Sequence, residues 1–313
     1  MSSSPRPTDE VLNYLSTRPN LPPAWQPPLE ERRKEQRALI LRDSGTPQPV
    51  AKVEDVEANG VPARLYRPNG GETAAFVWLH GGGWILHDND TYDPLARALA
   101  NASSTAVLSV DYRRAPEHRF PAAVDDAWSA VRWAAAHFDH VAVGGDSAGA
   151  NLAAAVSLRA REARSTLAVQ VLVYPILDYR VDSDAYYQHR ERYADFAGIA
   201  GYGASFHDGI RWLWAQYLKR PDERTNPEAA PLRADSLAGV APALIITAEH
   251  DILRSEAEEY ADRLRRAGVF VRSVEFPGQV HGFLDALAVL EDAVAAVGLI
   301  GNEVSARLAM RQP

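Results

Sequence analysis

Cysteine is absent from the 313-residue chain, which excludes disulfide frameworks, thiolate metal centres and cysteine nucleophiles while leaving the redox compartment undecided. No apolar run approaches the ~18 residues that a membrane span requires, so no stable membrane insertion is expected. Met1 to Asn20 are polar and proline-bearing, without the apolar heart of an export signal, and a cytoplasmic location is the default expectation. Basic stretches are scarce as well. Arg32-Arg33-Lys34 and Arg37 alternate with Glu30, Glu31 and Glu35 under a formal net charge of −8, so this run reads as a solvated helix face and no nucleic-acid partner is expected. Phosphate cradles fail on spacing: Gly144-Gly145-Asp146-Ser147-Ala148-Gly149 is not Gly-x-Gly-x-x-Gly, and Ala150 stands where a P-loop needs lysine. No histidine–carboxylate spacing suggests a metal, no cofactor is implied, and no internal repeat or low-complexity tract occurs.

Hydrophobic residues make up 46% of the chain, enough for one large core. Residues 1–50, with Pro19, Pro22, Pro23, Pro27 and Pro28 between polar segments of helical character, read as an arm laid over something else. From Ala51 the pattern turns to β-type runs at 51–58 and 62–67 with Asn59-Gly60 between them, a hairpin signal that predicts an antiparallel start. Strand and helix patterns then alternate: strands at 75–79, 105–110, 141–143 and 169–174, helices at 93–102, 121–137 and 148–163. Such alternation builds right-handed βαβ units and a mostly parallel sheet covered by helices on both faces. It lapses over Tyr179–Pro231, an aromatic, charged and glycine-bearing insertion with a helical segment at 208–219. It resumes with strand 243–247, helix 255–267, strand 269–276 and a final helix from about residue 284. The expected division is 1–50 N-terminal cap arm, 51–178 first part of the core, 179–230 cap insertion and 231–313 second part of the core. Eight strands result, and the edge strand 269–276 leaves monomer and homodimer both open.

One stretch carries chemistry. In Val141-Ala142-Val143-Gly144-Gly145-Asp146-Ser147-Ala148-Gly149 an apolar strand ends in Gly-x-Ser-x-Gly and a helix pattern follows at once, which places Ser147 on a sharp turn whose neighbours have to be small. A serine hydroxyl needs a base to take its proton and a third group to orient that base. Enzymes built on such an elbow place acid and then base after the serine. Of the nine histidines, His281 in Gly278-Gln279-Val280-His281-Gly282-Phe283 follows the last strand and can reach back. Asp251 after the seventh strand is the candidate acid, with Asp178 and Glu249 as rivals. His80-Gly81-Gly82-Gly83-Trp84 follows another strand, and its bare amides suit a developing oxyanion. Gly81, Gly82 and the amide of Ala148 are the candidate hole.

Together with Asp111-Tyr112-Arg113-Arg114-Ala115-Pro116-Glu117, Tyr174-Pro175 and Asp251-x-Leu253-Arg254, these motifs resemble the hormone-sensitive-lipase family of carboxylesterases, over nearly the whole of residues 75–285. The resemblance implies an α/β-hydrolase fold with an eight-stranded, mostly parallel sheet and a helical cap made from the arm and the insertion. It implies Ser147 as nucleophile, Asp251 as acid and His281 as base, acting on a small-molecule ester with a short to medium acyl chain. Amide hydrolysis on the same machinery and a non-hydrolytic receptor on the same fold are the alternatives. Two positions depart from the family pattern: Ile252 stands where a proline is usual and Ser255 where an aspartate is frequent. Aromatic residues expected at the substrate pocket are Trp84, beside the glycine loop, and Tyr202, Phe206 and Trp212 in the insertion.

Overall fold

The computed structural model of the chain describes residues 6–19, 26–180 and 203–310, with 203–207 as backbone. All eight expected strands are present: β1 (Lys52–Glu57), β2 (Pro62–Arg67), β3 (Ala74–Leu79), β4 (Ala106–Val110), β5 (His140–Asp146), β6 (Gln170–Val173), β7 (Ala243–His250) and β8 (Val271–Val280). They form one sheet in the order β1-β2-β4-β3-β5-β6-β7-β8. β2 is antiparallel to both of its neighbours, as the Asn59-Gly60 hairpin signal requires, and every pairing from β4 to β8 is parallel.

The central strands are largely apolar because both faces are covered. On β3, Ala75, Val77 and Leu79 point into one buried cluster and Phe76 and Trp78 into the other, the period-2 alternation of a pleated strand. The first cluster is closed by α4 (Ala122–His137), α5 (Ala148–Glu162) and α7 (Arg254–Arg266), the second by α3 (Asn89–Ser103) and α8 (Glu291–Ala309). Residues of α6 (Gly203–Tyr217), chiefly Ile210, Trp214 and Tyr217, extend the first cluster over the loops that leave the sheet. The arm contributes α1 (Asp9–Ser16) and α2 (Leu29–Ser44). Val11, Tyr14 and Leu15 bury into the second cluster, and Arg33 donates to the carbonyl of Ile85 at 3.0 Å and forks onto Glu117 at 2.8 and 2.9 Å.

Among the boundaries that differ from the sequence expectation, three show tertiary contacts outweighing local preference. β5 runs on through Gly144 and Gly145 because it is paired on both sides, and a Cβ at Gly144 would stand 2.8 Å from the ring of Phe76. β8 continues past Pro277 to Val280, which an edge strand tolerates because proline's missing donor faces no partner. The last helix starts at Glu291, not near 284; Phe283–Asp285 instead forms a short 3₁₀ turn held by Ser44 Oγ donating to the Asp285 carbonyl at 2.8 Å. Among the described residues, no helix is long and apolar enough to cross a membrane.

Candidate active site

Ser147 is the single residue between β5 and α5. Its backbone sits at φ 52°, ψ −115°, a conformation that L-residues rarely adopt and that costs of the order of 1–3 kcal/mol. The turn is this tight because the chain reverses against β3: a Cβ at Gly145 or Gly149 would overlap the carbonyl oxygen of Leu79. The Ser147 amide donates to the Val173 carbonyl at 2.8 Å, which fixes the apex against β6.

The sheet order brings the three expected partners together at its C-terminal edge. His281 is the first residue after β8 and Asp251 the first after β7. His281 Nε2 lies 3.0 Å from Ser147 Oγ, and His281 Nδ1 lies 2.8 Å from Asp251 Oδ2. Asp251 is 1% exposed, and its other oxygen accepts from the Leu253 amide at 2.9 Å. A carboxylate accepts only, so Nδ1 carries the proton and Nε2 presents its lone pair to the serine hydroxyl. Ile252 and Ser255 leave that acid turn intact. The rival acids are elsewhere engaged: buried Asp178 accepts from Arg233 at 2.7 Å and from Arg180, and Glu249 accepts from the Gly278 amide at 2.7 Å.

The glycine loop follows β3, the neighbour of β5. Of the three amides expected at the hole, that of Gly81 is already engaged. The Gly81 amide is turned inward, donating to Asp146 Oδ1 at 3.0 Å and to Tyr92 Oη at 3.1 Å, so it is not available to a substrate oxygen. Gly82 and Gly83 have φ of 99° and 62°, and among the described residues none accepts from their amides or from that of Ala148, the first residue of α5. Ala148 N–H is one of the donors that every helix start leaves unmet. Behind the loop, burial holds the His80 imidazole down to about 4 and the His87 imidazole down to about 3, so both are neutral around neutral pH.

The aromatic expectations fare differently. Trp84, expected at the pocket wall, has no exposed surface: its indole stacks on Tyr217 at 4.2 Å and leans on Trp214 at 4.8 Å, so it ties the glycine loop to α6. Trp212 is partly buried against the first core cluster. Tyr202 and the side chain of Phe206 lie outside the described residues, as does the tract 197–202 ahead of α6. Among the described residues, no group of three or more histidine, aspartate or glutamate side chains converges as metal ligands.

Comparison with known proteins gives the family. A family profile described as alpha/beta hydrolase fold matches residues 76–285. The chain is 42% identical over 244 residues to the carboxylic ester hydrolase LipN of Mycobacterium tuberculosis, covering 73% of this chain and 62% of LipN, so it spans about three fifths of that relative's length. It is 35% identical over 264 residues to an arylesterase of Saccharolobus solfataricus, covering 81% of each. Among solved structures, an esterase of Pyrobaculum calidifontis in a monoclinic form superposes with a TM-score of 0.85 at 34% identity, over 96% of this chain and 98% of that one.

Proposed function

The chain belongs to the α/β-hydrolase family, on its hormone-sensitive-lipase branch, and from that premise we propose that it is a serine carboxylesterase. The observation that carries the reading is the unbroken hydrogen-bond chain from Ser147 Oγ through His281 to the buried carboxylate of Asp251. Ser147 Oγ attacks the ester carbonyl while His281 Nε2 takes its proton, and Asp251 holds the imidazole in the accepting tautomer and stabilises the imidazolium that forms. The carbonyl oxygen becomes an oxyanion against the amides of Gly82, Gly83 and Ala148. Collapse expels the alcohol with the proton from His281, and water repeats the cycle on the acyl-enzyme.

Substrates on this reading are esters of short to medium acyl chains, aryl esters among them, a scope that the likeness to an arylesterase supports. The cap is read as the arm plus the insertion. The arm's place in it is supported by Arg33, which ties α2 to the loop carrying Trp84 and to Glu117. The test is a fluorophosphonate probe followed by a chain-length panel of 4-nitrophenyl esters beside the matching 4-nitroanilides. Labelling at Ser147, ester turnover, and its loss by up to ~10⁶ in a folded Ser147→Ala protein are expected. Anilides turned over faster than esters would make it an amidase, and a folded Ser147→Ala protein that keeps its esterase activity would remove Ser147 from the mechanism.

A further inference from the structure

We propose that Asp146 is a positioning residue: it fixes the His80–Gly81 peptide relative to Ser147 and thereby aims the Gly82 and Gly83 amides at the oxyanion. The inference rests on the esterase reading above. The peptide unit concerned is gripped at both of its polar atoms. The His80 carbonyl accepts from Tyr112 Oη at 2.7 Å, and the Gly81 amide donates to Asp146 Oδ1 at 3.0 Å. Tyr92 Oη links the two groups: it accepts from the Gly81 amide at 3.1 Å and donates to Asp146 Oδ2 at 2.9 Å, with the Asp285 carboxyl also near its hydroxyl. Asp146, Tyr92, Tyr112 and His80 are all buried, and the His80 ring stacks on Tyr112 at 4.2 Å. Water is therefore excluded from competing for these groups.

With that plane fixed, the rotations at Gly81 and Gly82 set where the next two amides point. Catalysis is sensitive to that aim, since a displacement of about 1 Å can cost ~10²-fold in rate. Asp146 also precedes the nucleophile directly, so one side chain references the hole to the attacking oxygen. Burial, and after it the charge of Asp285, push the Asp146 carboxyl well above its usual range.

The test compares Asp146→Ala, Asp146→Asn and Tyr92→Phe in the full chain, reading kcat and KM on 4-nitrophenyl acetate, the inhibition constant of a trifluoromethyl ketone and the melting temperature. Asp146→Ala should lower kcat by ~10²-fold with KM held, and weaken the ketone by a similar factor, because the tetrahedral adduct needs the aimed amides and the ground state does not. Asp146→Asn should return most of that loss, since its amide oxygen still accepts from Gly81. Tyr92→Phe, which removes one of two acceptors, should cost ~10-fold in kcat. A folded Asp146→Ala protein within ~3-fold of the parent kcat would overturn the proposal. So would a loss confined to KM, or an Asn variant as impaired as the Ala variant. If the Ala variant fails to fold, Tyr92→Phe decides: a kcat loss at constant KM supports the positioning role, and an unchanged kcat refutes it. Ester turnover by the parent chain and its absence in Ser147→Ala test the esterase reading separately.

Discussion

Replacing Asp251 by asparagine tests the direction of every hydrogen bond in the site at once. The Leu253 amide donates to Asp251 Oδ1 at 2.9 Å, so the substituted carboxamide should keep its oxygen there and turn its NH₂ toward His281 Nδ1. Facing a donor, Nδ1 has to become the acceptor, which moves the imidazole proton to Nε2 and aims it at Ser147 Oγ, 3.0 Å away. That tautomer cannot take the serine proton. The flipped carboxamide restores the right tautomer but leaves the Leu253 N–H against a donor, a penalty of ~1–3 kcal/mol that holds this orientation to roughly 0.5–20% of molecules. Even those molecules lack the charge that stabilises imidazolium, worth about another factor of ten. kcat should therefore fall between ~10² and ~10⁴, the upper figure being the loss seen when the same wrong tautomer is forced in other serine hydrolases. Because Asn replaces Asp atom for atom, KM and the melting temperature should move little. The assay is continuous release of 4-nitrophenolate from the acetate ester, with melting followed by circular dichroism. A folded Asp251→Asn protein with more than about a tenth of the parent kcat would refute the tautomer reasoning and return Asp178 and Glu249 to contention.

Asp178→Ala separates the rival acid from the proposed one: kcat should stay within ~3-fold while unfolding in urea registers a loss of about 1–3 kcal/mol, moderated because Arg180 and Arg233 stay partly solvated. A selective loss of kcat at Asp178 would instead make it the acid. Ser147→Gly should abolish turnover yet raise the melting temperature by about 1–3 °C, since glycine accepts φ 52° without strain; a lower melting temperature would mean the elbow is unstrained. Stability should fall as pH drops from about 6.5 to about 4: unfolded imidazoles take up protons near 6.5, whereas His80 and His87 resist down to about 4 and about 3 because both are buried. Each adds roughly 1.4 kcal/mol of destabilisation per pH unit across that window, and a melting temperature flat from pH 6.5 to 4, or unaltered in its slope by His87→Gln, would contradict their neutral burial.

The centre of the sheet was legible because its strands are largely apolar on both faces and the helices between them are not, a contrast that survives in one sequence without help from distant contacts. Asp251 and His281 were legible for a related reason: chain order restricts which loops can approach the elbow, and parallel pairing carries β7 and β8 up to those residues. Strand ends were the weaker part. Gly144, Gly145, Pro277 and Gly278 all argue locally for termination, yet β5 and β8 run through them because pairing supplies what propensity withholds. Trp84 was misplaced for want of its partners. Nothing near it in the chain announces that Tyr217 and Trp214, more than a hundred residues on, will cover it.

The glycine loop shows most clearly where a linear reading stops. Gly81-Gly82-Gly83 offers three bare amides in a row, and spacing alone treats them as interchangeable. The fold separates them by partner. Gly81 is small because Asp146 and Tyr92 stand against it, with Tyr92 Oη 3.0 Å from where a Cβ would lie, and its amide is spent on those same two groups. Gly82 is glycine because φ of 99° is costly for anything else, and Gly83 because a Cβ there would stand 2.5 Å from the Leu213 side chain; among the described residues none accepts from their amides. On the proposed reading Gly81 thus belongs to the frame and its two successors to the chemistry. What distinguishes them is a carboxyl sixty-five residues away, next to Ser147, so that on the proposed reading the register of the hole and the place of the attacking oxygen are set by one stretch of chain.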